Sequence, residues 1–224
     1  MNTETYVNNI VRAISERANP ADAEPMKKYM KNLFEYYGIK TPERREITKP
    51  YLEKSLLPPL SGLERIVKKL WKKPQRELQY FAQSLVQKYV KQMDESYIYL
   101  FEFMIVNKSW WDTVDFIAAN LVGPFFKKHP DLIGLKIAEW MDSENIWLQR
   151  TCLLYQLKYK QRTDNKLLFQ LIKDLRTSKE FFIRKAIGWS LREYSKTDPK
   201  SVLNFVDSVE LSNLSKREAL RLLK

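Results

Sequence analysis

The chain has 224 residues, enough to bury a sizeable core in one large domain or two small ones, and its 44% hydrophobic and 13% aromatic content excludes a disordered segment. A lone Cys152 and a lone His129 exclude a disulfide framework, a thiolate metal cluster and a two-histidine metal site; five glycines, well below the usual ~7% and never close together, argue against a P-loop, a dinucleotide fingerprint or a many-stranded sandwich. Thirty-nine Lys and Arg against 27 Asp and Glu leave a net charge of +12, which suits a polyanionic partner, nucleic acid before an anionic membrane, with a merely well-solvated surface as the plain alternative.

The longest stretch without a charge, 116–126, is far short of a membrane span, and residues 1–12 lack the apolar core of a signal peptide. A cytoplasmic protein in a reducing compartment is expected. In chain order, Thr41 followed by Pro42 and Glu43 reads as an N-cap with proline at the first helical position. Helices follow over 60–71 and, after Pro74, over 75–89. Ser109 with Asp112 three residues on reads as a capping box, so that a helix begins at Trp110. Further helices are predicted over 145–159, 165–175, 181–194 and, from Pro199, over 199–209. No segment reads as a strand.

Three of these helices resemble one another: LQYFAQSLVQKY from Leu78, LQRTCLLYQLKY from Leu148 and IRKAIGWSLREY from Ile183, at offsets of 70 and 35. A weaker copy, TVDFIAANLVGP, begins at Thr113 and is expected to end early at Gly123–Pro124. A 35-residue period holding two helices is the length of a HEAT or TPR unit, whose copies stack and share a core. The expected fold is therefore all-α, a curved α-solenoid of HEAT-like helical repeats forming a single domain over 1–224.

At ~100° per residue, Ile183, Ala186, Ile187, Ser190, Leu191 and Tyr194 share one arc and form the buried stripe. Trp189 falls outside it, beside Lys185, Arg192 and Lys196. Two readings stand for this indole: a nucleic-acid face among cations, or packing against the next repeat. The period also aligns Asp115, Arg150 and Lys185 as a row, with Trp111 one turn before Asp115 on the same helix face. Asp115 either does chemistry in a basic groove or forms an ion pair with Arg150 that tempers repulsion. Residues 145–224 hold 17 basic and 8 acidic residues, so the C-terminal third carries most of the positive field. His129, before Pro130, suits a capping cation at a helix end, and Cys152 falls on the apolar face with Leu148 and Tyr155.

KSWWDTVD at 108–115, NIWLQR at 145–150, LKYKQ at 157–161 and SKEFFIRKAIGWSLREYSKT at 178–197 are similar to the AlkD-type DNA alkylation-repair glycosylases, a HEAT-like repeat family. AEPMKKYMKN at 23–32, GIKTPERR at 38–45 and SKREA at 215–219 extend the resemblance over nearly the whole chain. The resemblance implies hydrolysis of the N-glycosidic bond of positively charged N3- or N7-alkylated purines in duplex DNA, by a monomer, without metal or cofactor and without drawing the base into a pocket. It assigns Trp111, Asp115 and Trp189 to the lesion's deoxyribose. Arg150, Lys158 and Arg192 would grip phosphates, with Lys160 and Lys185 as further candidates, so that loss of Arg150 would flatten the salt dependence of binding by about one unit of slope.

Tyr29 matches a family tyrosine near the lesion strand, although a tyrosine on a helix more often belongs to the core. Lys40 departs from the family, standing where close relatives have glutamine, and would add a phosphate contact. The chemistry is consistent with these residues, because a cationic purine leaves as a neutral base and needs no general acid. What remains is an oxocarbenium-like sugar that a carboxylate and indole faces stabilise. The alternative is a non-catalytic repeat module that binds bent or branched DNA, or a protein.

Overall fold

The structure, a computed structural model, describes residues 2–223. They fold as helices α1 (Thr3–Ser15), α2 (Pro20–Tyr29), α3 (Thr41–Thr48), α4 (Leu60–Lys72), α5 (Arg76–Tyr89), α6 (Ile98–Val106), α7 (Trp111–Ile117), α8 (Gly123–Lys128), α9 (Leu132–Asp142), α10 (Ile146–Leu154), α11 (Asn165–Leu175), α12 (Phe181–Ser195), α13 (Pro199–Ser208) and α14 (Asn213–Ala219), joined by turns and short 3₁₀ segments. The fold is all-α and of the helical-repeat class. Among the described residues no strand forms beyond one isolated bridge, Glu35 to Gln75, and no helix is long and apolar enough to cross a membrane.

The chain divides into two compact units, one ending at Gln92 and the other beginning at Met93. In the first, α4 buries Leu63, Ile66, Val67, Leu70 and Trp71, an i, i+3, i+4, i+7, i+8 stripe that packs on α1 and α5. Glu77 is fully buried and accepts the amide hydrogens of Tyr37, Gly38 and Ile39 at 3.1, 2.9 and 3.2 Å, which satisfies an otherwise costly interior carboxylate and fixes the loop leading into α3. Gly38 has φ +87° there, and a side chain at this position would collide with the Asn19 carbonyl, so glycine is required.

In the second unit α7, α10 and α12 pack in succession, α10 touching both neighbours, which realises the 35-residue period as a stack. The predicted stripe of α12 is buried at Ile183, Ala186, Ile187, Ser190 and Leu191, while Tyr194 is half-buried. Cys152 is buried, as are Leu148 and Tyr155 on the same helical face, and burial pushes its thiol pKa up, out of the reactive range. His129 caps the end of α8, its Nε2 3.0 Å from the Met93 carbonyl and its ring against Phe125.

Beside one-residue shifts at single ends of α4, α5, α12 and α13, four departures from the expected boundaries each have a local reason. Lys40, not Thr41, is the N-cap of α3, extended and without a side-chain cap bond; Thr41 is already helical. Ser109 does not cap α7, because its hydroxyl donates to the Ile105 carbonyl of α6 at 2.6 Å, and Trp110 takes the N-cap position. α10 stops at Leu154 rather than 159, since the Gln156 side chain pairs with both backbone groups of Asp164 and draws the chain into a turn. The copy starting at Thr113 does not end at Gly123–Pro124. It passes through a π-helical segment, Ala118–Val122, and continues as α8 to Lys128. The wider turn bonds the Gly123 amide to the Ala118 carbonyl and sets Pro124 in a first turn, where its missing N–H costs nothing.

Candidate active site

Asp115 projects from α7 and is met by Arg150 of α10, as the period requires. The pairing is bidentate: Nε donates to Oδ1 at 2.7 Å and Nη2 to Oδ2 at 2.8 Å, the fork geometry in which guanidinium and carboxylate bond most strongly. Arg150 also donates through Nη1 to the Phe182 carbonyl at the start of α12, so that three successive helices are tied together at this point. Its side chain is 5% exposed and that of Asp115 14%. Behind the pair, Trp110, Trp147 and Phe182 form a wall of mutually touching rings with centroids 4.9 to 5.7 Å apart.

Burial raises the Asp115 carboxyl above the ordinary carboxylate range, and the hydrogen bonds and charge of Arg150 pull it back down. An oriented anion in a poorly solvated place results, with one partner that limits its basicity. Asp115 faces a cleft of about 340 Å³, whose other walls include Asn120, Leu157, Lys158, Trp189 and Glu193. The structure thus brings Asp115, Lys158 and Trp189 to one cleft, with Trp111 half-buried one turn before Asp115 on α7. Trp189 lies off the core stripe, as its helical angle requires.

The cleft wall continues from α7 into the π segment, which contributes Ala119 and Asn120. Asn120 stands one turn after Phe116, to whose carbonyl its Nδ2 donates at 2.9 Å, and both line the cleft with Asp115 and Ala119. There the Asn120 Oδ1 accepts a 2.6 Å bond from Lys158 Nζ. The turn that carries Lys158 is fastened to the same segment: the Tyr159 hydroxyl donates to the Gly123 carbonyl at 2.7 Å, and the Tyr155 carbonyl packs so close to Gly123 that a Cβ would lie 2.3 Å from it. Lys158 is therefore an exposed cation at the rim, aimed by its neighbours.

The remaining predicted residues are distributed differently. Arg150 is a buried partner of Asp115 rather than a surface cation. Lys185 and Arg192 both pair with Glu218, at 2.8 and 2.7 Å. Lys160 is exposed in a left-handed turn with φ +53°. Tyr29 and Lys40 belong to the first unit. Tyr29 ends α2 and is 71% exposed, so it is not a core residue, and Lys40 pairs with Asp22 at 2.8 Å. Sequence reasoning missed Asn120, Glu193 and Glu218. Glu193 could have been found, since it stands four residues after Trp189 on one helix face.

A helical-repeat protein with a buried Asp–Arg pair opening on an indole-lined cleft with a lysine at its rim is the class these features define. The family model of the DNA alkylation repair enzymes matches residues 10–223. A solved structure described as a predicted DNA alkylation repair enzyme from Enterococcus faecalis shares 36% identity and superposes with a TM-score of 0.86, covering 92% of this chain and 96% of that one. No curated protein matches the chain. The chain belongs to the DNA alkylation repair enzyme family.

Proposed function

We propose that the protein is a DNA glycosylase that excises positively charged N3- or N7-alkylated purines from duplex DNA. The observation that carries this reading is the Asp115 carboxylate, oriented by buried Arg150 and opening on the same cleft as Trp189 and Lys158. In the reaction the glycosidic bonding pair leaves with the purine, whose positive charge is thereby cancelled. C1′ becomes oxocarbenium-like, a water adds to it, and the water's proton passes to the Asp115 carboxylate or to solvent. Asp115 stabilises the developing cation, and the indoles of Trp111 and Trp189 add their negative faces, at about 0.5 to 2 kcal/mol each. Lys158, Arg192, Lys160 and Lys185 meet phosphates, which sets affinity and salt dependence rather than base identity. Tyr29 and Lys40 are further DNA contacts from the first unit, and no metal or cofactor enters the scheme.

The test is release of free 7-methylguanine or 3-methyladenine from N-methylated duplex, with binding followed in parallel. Release by the wild type is expected. Binding without release would make the protein a DNA-binding repeat module.

The pH dependence follows from Asp115. The ionised form is the active one, so single-turnover release is expected to fall by about tenfold per pH unit as pH drops through its pKa. Because burial raises that carboxyl, the midpoint of the acid limb lies above the ordinary carboxylate value of 3.8. A rate flat down to pH 4 would contradict the assignment.

A further inference from the structure

α14 lies against α12 more closely than an ordinary helix pair allows. A side chain at Gly188 would place its Cβ 2.4 Å from the Glu218 Cβ and 2.9 Å from the Ser215 carbonyl, so the approach depends on glycine. The Ser215 hydroxyl donates to the Arg184 carbonyl at 3.0 Å, and the Ser212 side chain caps α14 through the Ser215 amide, which fixes the helix in place. Glu218 is thereby held over α12 with its side chain only 14% exposed.

Two cations converge on it, each on its own oxygen: Lys185 Nζ on Oε1 at 2.8 Å and Arg192 Nη1 on Oε2 at 2.7 Å. They come from points seven residues apart on α12, about 10 Å along its axis, and Trp189 stands between them on the same face. The cations are the more exposed members, 37% and 21% against 14%. Hydrogen bonding from Lys185 holds the Glu218 carboxyl below the ordinary range, so it stays anionic. An anion with two oxygens, each bound by a cation beside the cleft indole, has the charge and divergence of a backbone phosphate.

We propose that Glu218 is a positioning residue that stands in for a DNA phosphate: in the free protein its carboxylate holds Lys185 and Arg192 beside Trp189, and on binding it shares them with the duplex backbone, holding down the grip on undamaged DNA. This rests on the reading of the cleft face as a duplex-binding one. The carboxylate keeps two long side chains ordered and cancels part of their charge, so its removal strengthens the sequence-independent electrostatic term.

The test is Glu218→Gln, which keeps the shape and one acceptor oxygen while removing the charge, with Glu218→Asp as a charge-retaining control. Binding of an unmodified duplex of about 20 base pairs is followed by fluorescence anisotropy between about 50 and 200 mM KCl, with urea unfolding as the check on folding. Glu218→Gln is expected to bind up to about tenfold more tightly near 0.1 M salt, with a slope steeper by about one, and Glu218→Asp to keep the wild-type slope. Weaker or equal binding by Glu218→Gln with an unchanged slope overturns the proposal, as does the same gain in Glu218→Asp. If neither the wild type nor Glu218→Gln binds the duplex, the duplex-binding reading falls with it.

Discussion

Asp115→Asn is expected to bind N-methylated duplex within a few-fold of the wild type and to release base about 10²- to 10³-fold more slowly. The substitution keeps the side chain's shape and one acceptor oxygen but removes the charge that the oxocarbenium-like sugar requires. A positioned electrostatic group of this kind is worth about 3 to 4 kcal/mol in the transition state and little in the ground state. The same change leaves Arg150, 5% exposed, with a neutral partner, so the unfolding midpoint in urea should fall with a stability loss of about 1 to 3 kcal/mol. Single-turnover kinetics at saturating protein separate the two effects, since the remaining folded protein still binds. Base release at the wild-type rate would remove Asp115 from the chemistry and leave it a structural ion pair.

Arg150→Ala is expected to act through Asp115 and not through a phosphate. Breaking a buried pair by deleting one partner costs about 3 to 5 kcal/mol, because the other charge stays behind uncompensated. Here the Phe182 carbonyl also loses its donor, and the ring wall of Trp110, Trp147 and Phe182 loses the guanidinium packed beside it. With the hydrogen bonds and charge of Arg150 gone, only the effects that raise the Asp115 carboxyl remain. The acid limb of the rate profile then moves to higher pH, so the loss of activity is largest in acid and partly recovered in base. The slope of log affinity against log salt should stay at its wild-type value. A slope smaller by about one with an unchanged urea midpoint would instead make Arg150 a phosphate contact. Arg150→Lys, which keeps a charge but loses the fork, is expected to fall between and serves where the alanine variant is too unstable to assay.

Much of the second unit is readable in residue order. The Ile183 stripe and the outward angle of Trp189 follow from 3.6-residue periodicity alone, and the offset of 35 correctly pairs Asp115 with Arg150 across neighbouring helices. What periodicity could not reveal is where the helix stops being an α-helix. A π turn is invisible to a 100° wheel, so the copy from Thr113 runs on through Ala118–Val122 into α8 where Gly123 and Pro124 read as a stop. The same holds for caps: Ser109 has the right spacing from Asp112, but its hydroxyl is spent on the end of α6, a contact that only the path of the preceding turn creates.

The all-α class, the repeat and the family are legible in residue order, because hydrophobic period, glycine scarcity and motif identity are properties of that order. Which cations remain at the surface was decided by tertiary structure. Arg150 is drawn inward by Asp115, Lys185 and Arg192 are gathered onto one glutamate thirty-three residues after Lys185, and Lys158 is aimed at the cleft by a turn fastened to Gly123. The physical reason is that a charge's environment depends on everything within a few ångströms of it, and those neighbours come from helices that only packing brings together.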